Sequence, residues 1–269
     1  MEASGWLHVY CLVVLAVLGL CMGSFLNCLA SRLVSGESIL KGRSHCMSCG
    51  HSLSARDLVP VVSWLASGGR CRYCKERVSA RYPATEVLCA VVYVSIYLRY
   101  GLSFETLELC AFMSVLLVLS LTDLDTYVIP NATIVAALLI RLAYLVFRFV
   151  SGGCHDVSLF TDALVGGLAL SVPVLVLALV MDKVLGRDSF GGGDVKLLFV
   201  AGTYFGWAQG IFLVVTACIL GLVFALLGQR KRGDENAGMI PFGPAIAASC
   251  WVTALVGDFV IRWYTGLFM

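Results

Sequence analysis

Three blocks of this chain, Val9–Leu26, Ala163–Met181 and Ile211–Leu227, run without a single charged residue. About 20 mostly apolar residues cross the hydrocarbon core of a bilayer, and soluble helices rarely carry such blocks. Composition points the same way. The 269 residues are 59% hydrophobic and 13% charged, against roughly 25% charged in soluble domains. So few charges cannot coat soluble cores of this size. The expected fold is an all-α polytopic membrane protein.

The same numbers exclude other classes. A net charge of +2 with no continuous basic face argues against nucleic acid as the main partner. No Lys or Arg precedes the first apolar run and no A-x-A-like site follows it, so the first span is expected to stay in the mature protein. Repeats and low-complexity tracts are absent from the sequence.

About eight spans are expected, at 7–30, 84–100, 105–122, 131–150, 160–181, 195–208, 210–228 and 243–266. Pro83 opens the second, where a missing N–H costs nothing. Pro173 lies inside the fifth and predicts a kink that neighbouring helices tolerate. The sixth is short and interrupted by Gly202 and Gly206.

Orientation follows from the basic residues. Nine lie between the first two spans, from Arg32 to Arg81; Lys183, Arg187 and Lys196 form a second group, and Arg230, Lys231 and Arg232 a third. With alternating spans these fifteen share one face, and only Arg99, Arg141, Arg148 and Arg262 lie on the other. The positive-inside rule makes the richer face cytosolic and puts both termini outside.

The one sizeable polar segment, 35–82, holds Cys46-Met47-Ser48-Cys49 and Cys71-Arg72-Tyr73-Cys74, two C-x2-C knuckles 21 residues apart. Four thiolates in this pattern can close a tetrahedral shell around structural Zn2+. A loop this small has too little core to fold alone, so a metal would supply stability. The alternatives are free thiols or two disulfides, the latter disfavoured by a reducing cytosol. His45 and His51 flank the first knuckle and read as bystanders. The remaining eight cysteines read as small apolar packing residues.

Three acids fall at the cytosolic ends of spans: Asp123 and Asp125 where the third ends, and Asp194 in Gly191-Gly192-Gly193-Asp194 where the sixth opens. Asp194 alone could be a helix N-cap, and Asp123 and Asp125 alone could be solvated loop acids. Together, two carboxylates from different helices on one face could share a proton and activate water, one as base and one as acid. A carboxylate at membrane depth is also a functional-site hypothesis in itself. The glycine run would let a substrate chain approach, or act as a hinge or an anion-binding turn.

Taken in order, these residues resemble the type IV prepilin peptidases, polytopic aspartic proteases with a G-x-G-D motif. The resemblance covers about residues 20–250. It is carried by Gly23-Ser24-Phe25-Leu26-Asn27, Ser31-Arg32-Leu33, the two knuckles with Pro60-Val61-Val62-Ser63-Trp64-Leu65 between them, and Arg81-Tyr82-Pro83 with Glu86. Asp123 followed by Pro130-Asn131, Gly191 to Asp194 with Lys196, and Pro241-Phe242-Gly243-Pro244 complete it. Residue by residue, the family's two catalytic acids match Asp123 and Asp194, leaving Asp125 a dispensable neighbour. Two departures stand out: Asn131 where the family often has Asp, and Met47-Ser48 where it often has Pro.

The resemblance implies cleavage of the short basic leader of prepilin or pseudopilin precursors at the cytosolic face of a bacterial inner membrane. In many members it also implies N-methylation of the new terminus from S-adenosylmethionine. Glu86 and Lys196 are candidates to line that cofactor's site, although Glu86 near a helix N-terminus also has a dipole explanation. The expected organisation is a first span over 1–34, a zinc-binding loop over 35–82 and a catalytic membrane domain over 83–269. Two rival readings use the same residues. A transporter or channel would use the acids as a proton or cation relay, and a membrane-anchored zinc module would need neither acid.

Overall fold

A computed structural model describes residues 2–38, 42–151, 157–186, 191–229 and 241–267. Lys41, Arg187, Arg230, Lys231 and Arg232, which enter the charge count, and Cys154 lie outside the described residues. The elements are α1 (Glu2–Ser35), α2 (Val62–Ala66), α3 (Arg81–Tyr100), α4 (Phe104–Thr126), α5 (Asn131–Ser151), α6 (Ser158–Leu185), α7 (Gly192–Gln229) and α8 (Gly243–Gly266). Among the described residues there is no strand, only two isolated bridges, His45 with Ser52 and Arg70 with Arg77.

Among the described residues, six helices are long and apolar enough to cross a membrane: α1, α4, α5, α6, α7 and α8. Two details differ from the expected spans. The second expected span lies in α3, whose Glu86, Arg99 and four tyrosines lower its hydropathy below that of the six. The sixth and seventh lie in one element, α7, broken at Gly206, where φ is 68° and ψ −179°. Gly206 alone makes the break, because that backbone conformation has a steric cost for any residue with a Cβ. Gly202 stays helical, and its lack of a side chain lets α7 lie against Gly166 and Gly167 of α6. Exposed Leu164, Leu168, Val172, Val176 and Leu179 line one flank of α6, as lipid-facing side chains do.

The chain divides into two compact units, Met1–Thr106 and Leu107–Met269. In the first, α1 packs along α3 through residues four apart. A Cβ on Gly19 would stand 2.5 Å from the Ala90 Cα, and one on Gly23 2.6 Å from the Glu86 Cα. One turn further, the Asn27 amide donates to the Thr85 hydroxyl and, at 3.5 Å, to the Tyr82 carbonyl. Small residues permit the close approach and a buried amide fixes its register.

In the second unit, Phe112, Leu116, Leu119 and Asp123 form one buried stripe of α4 at helical spacing. Phe112 stacks on Tyr204 of α7, ring centroids 3.8 Å apart. An unbroken α7 would use the Thr203 carbonyl for the N–H of residue 207. Instead Arg141 of α5 donates to that carbonyl from Nε at 2.8 Å and to Glu108 Oε1 of α4 from Nη1 at 2.9 Å. The Arg141 and Glu108 side chains are only 17% and 4% exposed, so the ion pair and the break form one buried device.

Candidate functional site

Asp123 is 4% exposed because it continues the core stripe of α4, one turn beyond Leu119. Its Oδ2 accepts the backbone N–H of Gly243 at 2.9 Å. Gly243 opens α8 and Pro244 is its second residue. The first N–H groups of a helix lack intrahelical partners and carry positive partial charge, so this end is a ready seat for a carboxylate. Glycine leaves room for that seat: a Cβ on residue 243 would stand 2.8 Å from Asp123 Oδ2 and 3.0 Å from Leu119 Cδ2, so a side chain there would push the carboxylate aside.

Asp194 lies in the first turn of α7, another helix N-terminus, and near enough to Asp123 for the two charges to act on one another. The glycines before it are explained by local space. A Cβ on Gly191 would meet Asp194 Oδ2 at 2.9 Å, and one on Gly193 would meet Ile129 Cβ at 3.0 Å, while Gly192 faces open space. Two of the three glycines therefore make room for Asp194 and its support. Lys196 Nζ donates to Asn131 Oδ1 at 2.9 Å, joining α7 to the start of α5. Asp125 is exposed, about 200° round α4 from Asp123.

In the first unit, the Sγ atoms of Cys46, Cys49, Cys71 and Cys74 all lie within 4.8 Å of one another. Cys46 and Cys74 are 3.9 Å apart; tetrahedral zinc with Zn–S near 2.3 Å sets its sulfurs about 3.8 Å apart. The donor set and spacing fit that ion. The knuckles are built alike. Cys46 N–H reaches the His51 carbonyl at 3.0 Å and Gly50 N–H the Cys46 carbonyl at 2.8 Å; Cys71 reaches Glu76 at 2.8 Å and Lys75 reaches Cys71 at 3.0 Å. The residue after each second cysteine takes a left-handed φ, 70° at Gly50 and 62° at Lys75.

The thiols are electrostatically unequal. Backbone N–H groups of Cys49 and then Ser48 hold Cys46 down at about 6, from an ordinary 9.0. At Cys74 the Glu76 backbone N–H favours ionisation, but burial and the neighbouring Cys71, Cys49 and Cys46 outweigh it and push that thiol up to about 12. A metal-free cluster holds one thiolate readily and resists the next; a divalent cation removes that conflict. His45 and His51 lie outside the cluster. The His51 ring packs on Tyr73, centroids 3.7 Å apart, tying the first knuckle to the second.

Known proteins share this arrangement of segments. Residues 17–100 match the family model described as the bacterial peptidase A24 N-terminal domain, and residues 110–226 match that of the type IV leader peptidase family. A prepilin leader peptidase/N-methyltransferase of Pseudomonas putida is 32% identical, over 93% of this chain and 92% of that protein. The chain belongs to the type IV leader peptidase family. Proteins of the same description from Myxococcus xanthus (33% identical, 87% of this chain, 69% of that protein) and Bacillus subtilis strain 168 (30%, 94% and 97%) are similar along most of their length. No solved structure matches.

In this leader-peptidase-family chain, the gap between the two matched segments, 101–109, contains the boundary between the compact units. Sequence reasoning passed over Gly243 as a partner of Asp123. The signal was present: Pro244 at the start of an apolar run marks a helix N-terminus. It also missed Glu108 and Arg141, although an acid within an apolar block calls for a partner.

Proposed function

We propose that this chain cuts the leader from prepilin-like precursors with Asp123 and Asp194 as its two carboxylates. The observation that carries the reading is the buried Asp123 carboxylate held on the α8 N-terminus, with the Asp194 charge within reach. Two such groups share a proton. The ionised one takes a proton from a water whose oxygen attacks the scissile carbonyl carbon. The protonated one gives its proton to the carbonyl oxygen. When the tetrahedral intermediate collapses, the C–N bond breaks, the leaving amine takes a proton from one carboxyl, and the other carboxylate takes one from a hydroxyl of the intermediate, which restores the shared proton. Gly191 and Gly243 keep the space around the carboxylates free of Cβ atoms, and the Lys196–Asn131 bond steadies the start of α7.

The substrate is a membrane-inserted helix behind a short basic leader, cut at the cytosolic boundary. The cytosolic face carries the basic excess of the chain, so both termini are extracytoplasmic in a bacterial inner membrane. A basic leader gains nothing from that face, so recognition rests on helix packing and local contacts. Cys46, Cys49, Cys71 and Cys74 hold structural zinc, which ties together a segment with little core of its own. A second step methylates the new amino terminus, with S-adenosylmethionine supplying the methyl group. The organisation is a first span, a zinc-bound loop over 35–82 and a membrane peptidase domain beyond it.

The test is to incubate membranes containing the chain with a pilin precursor and to read the product by mass spectrometry. One cut behind the basic leader, and a gain of one methyl group when S-adenosylmethionine is present, is the expected result. Ion or solute flux with no cut in any precursor would replace this reading with the transporter.

A further inference from the structure

The two carboxylates of the proposed reaction stand on different helices, Asp123 in the last turn of α4 and Asp194 in the first turn of α7. One side chain grips both helices. The Arg141 guanidinium donates to Glu108 Oε1 of α4 at 2.9 Å and to the Thr203 carbonyl of α7 at 2.8 Å. Glu108 stands 15 residues before Asp123, roughly 22 Å along a helix. Thr203 stands nine residues after Asp194, roughly 13 Å along a helix. The fork therefore holds each carboxylate-bearing helix at a point remote from its carboxylate.

The break at Gly206 makes that grip necessary. It ends the first half of α7 and frees the Thr203 carbonyl, so the last turn of a short helical rod needs partners from outside. It has several. Tyr204 Oη donates to the Ala137 carbonyl of α5 at 2.7 Å, Phe112 of α4 stacks on the Tyr204 ring, and the Arg141 guanidinium lies 5.2 Å from that ring's centroid. Between the two ends, Leu197, Val200 and Ala201 are fully buried. A close-packed helical rod transmits a shift, so displacement at Thr203 arrives at Asp194. A buried ion pair adds little stability over apolar side chains of the same volume. What a planar guanidinium supplies, and a point charge does not, is fixed distance and angle to two acceptors at once.

We infer that Arg141 is a positioning residue, whose fork sets the height of Asp194 against Asp123 by tying α7 and α4 to one guanidinium. The inference rests on the carboxylate reading of the proposed function and adds a residue that touches no reacting atom. Arg141 acts through Thr203 and Glu108 on the alignment of the two acids. Alignment governs the chemical step and leaves precursor binding alone, so its loss appears in kcat and spares KM. Glu108 shares the role, because it fixes the fork to the helix that carries Asp123.

The test measures leader release against precursor concentration for the full chain in detergent, at a temperature well below the lowest melting point of the set. Arg141→Lys keeps the charge and loses the fork; Glu108→Asp keeps the ion pair and shortens its reach by one methylene. Leu213→Ala, at a fully buried position beyond the break, empties core volume and lowers stability with the fork intact. Displacement of a reacting group by about 1 Å costs on the order of 10²-fold in rate. Arg141→Lys and Glu108→Asp should each lose at least about tenfold in kcat with KM within about twofold, while Leu213→Ala keeps kcat within about twofold. If Arg141→Lys does not fold, Glu108→Asp decides by the same criterion. An unchanged kcat in the folded fork variants, a loss confined to KM, or an equal loss in Leu213→Ala would overturn the inference. Asp123→Asn and Asp194→Asn in the same assay separate the two claims. If both abolish cleavage while Arg141→Lys and Glu108→Asp retain full kcat, the positioning role fails and the carboxylate reading survives. If either retains cleavage, both fail together.

Discussion

The Gly243 N–H donates to Asp123 Oδ2 at 2.9 Å, across 120 residues of sequence. Position 243 therefore controls an acid with which it shares no motif. Gly243→Ala would put a Cβ 2.8 Å from that oxygen. Displacing a reacting group by about 1 Å costs on the order of 10²-fold in rate. Precursor cleavage by Gly243→Ala should fall by about that factor, with zinc content of the purified protein unchanged.

The three glycines before Asp194 should behave differently from one another. A Cβ at residue 191 would stand 2.9 Å from Asp194 Oδ2 and one at 193 3.0 Å from Ile129 Cβ, while 192 faces open space. Initial cleavage rates of the three alanine variants check this. Gly192→Ala should stay within about twofold of wild type, and Gly191→Ala and Gly193→Ala should each lose roughly 10- to 100-fold. A run serving only as a flexible hinge would lose similar activity at all three positions.

The Arg141 device predicts a stability effect in the second unit. Removing one partner of a buried ion pair costs about 3–5 kcal/mol, because it strands the other charge. Arg141→Ala should lower thermal stability in detergent accordingly, and Arg141→Lys should recover only part, since one ammonium does not reproduce the planar fork that reaches both Glu108 and the Thr203 carbonyl. Adding Glu108→Gln to Arg141→Ala should recover part of the loss, because no stranded carboxylate remains while the Thr203 carbonyl still lacks its donor.

The cysteine cluster predicts a pH dependence. The Cys46 thiol ionises at about 6 in the folded metal-free cluster, against an ordinary 9.0. A depressed folded value favours the folded state above the ordinary value, and that contribution is lost as pH falls from about 9 to about 6. The Cys74 shift to about 12 acts in the opposite direction, but only above about 9. Zinc affinity should therefore weaken progressively as the pH drops through 6, where Cys46 also takes up its proton. Competition with a chromogenic chelator between pH 5 and 8 measures it. Removal of the metal should loosen residues 44–78 to proteolysis.

The division between what is legible in the sequence and what is not has physical reasons. Apolar runs and the C-x2-C spacing are local, so the spans and the four-cysteine cluster can be read from composition and interval alone. Asp123 and Asp194 stand out because carboxylates at the ends of apolar helices are costly. Gly243 and the Arg141–Glu108 pair are tertiary partnerships whose members lie 120 and 33 residues apart, and nothing in periodicity couples them. The break at Gly206 is intermediate: the glycines at 202 and 206 both signal an interruption, but only packing against α6 tells the helical one from the broken one.

The most direct test of the carboxylate pair is the initial rate of leader release by Asp123→Asn, Asp194→Asn, the double variant and Asp125→Asn, each matched for expression in membranes. Residues that act as a unit are strongly non-additive. The account predicts that either single change abolishes cleavage to the same floor, that the double variant is no worse, and that Asp125→Asn stays near wild type. Cleavage retained in Asp123→Asn or Asp194→Asn, or lost in Asp125→Asn, would contradict it.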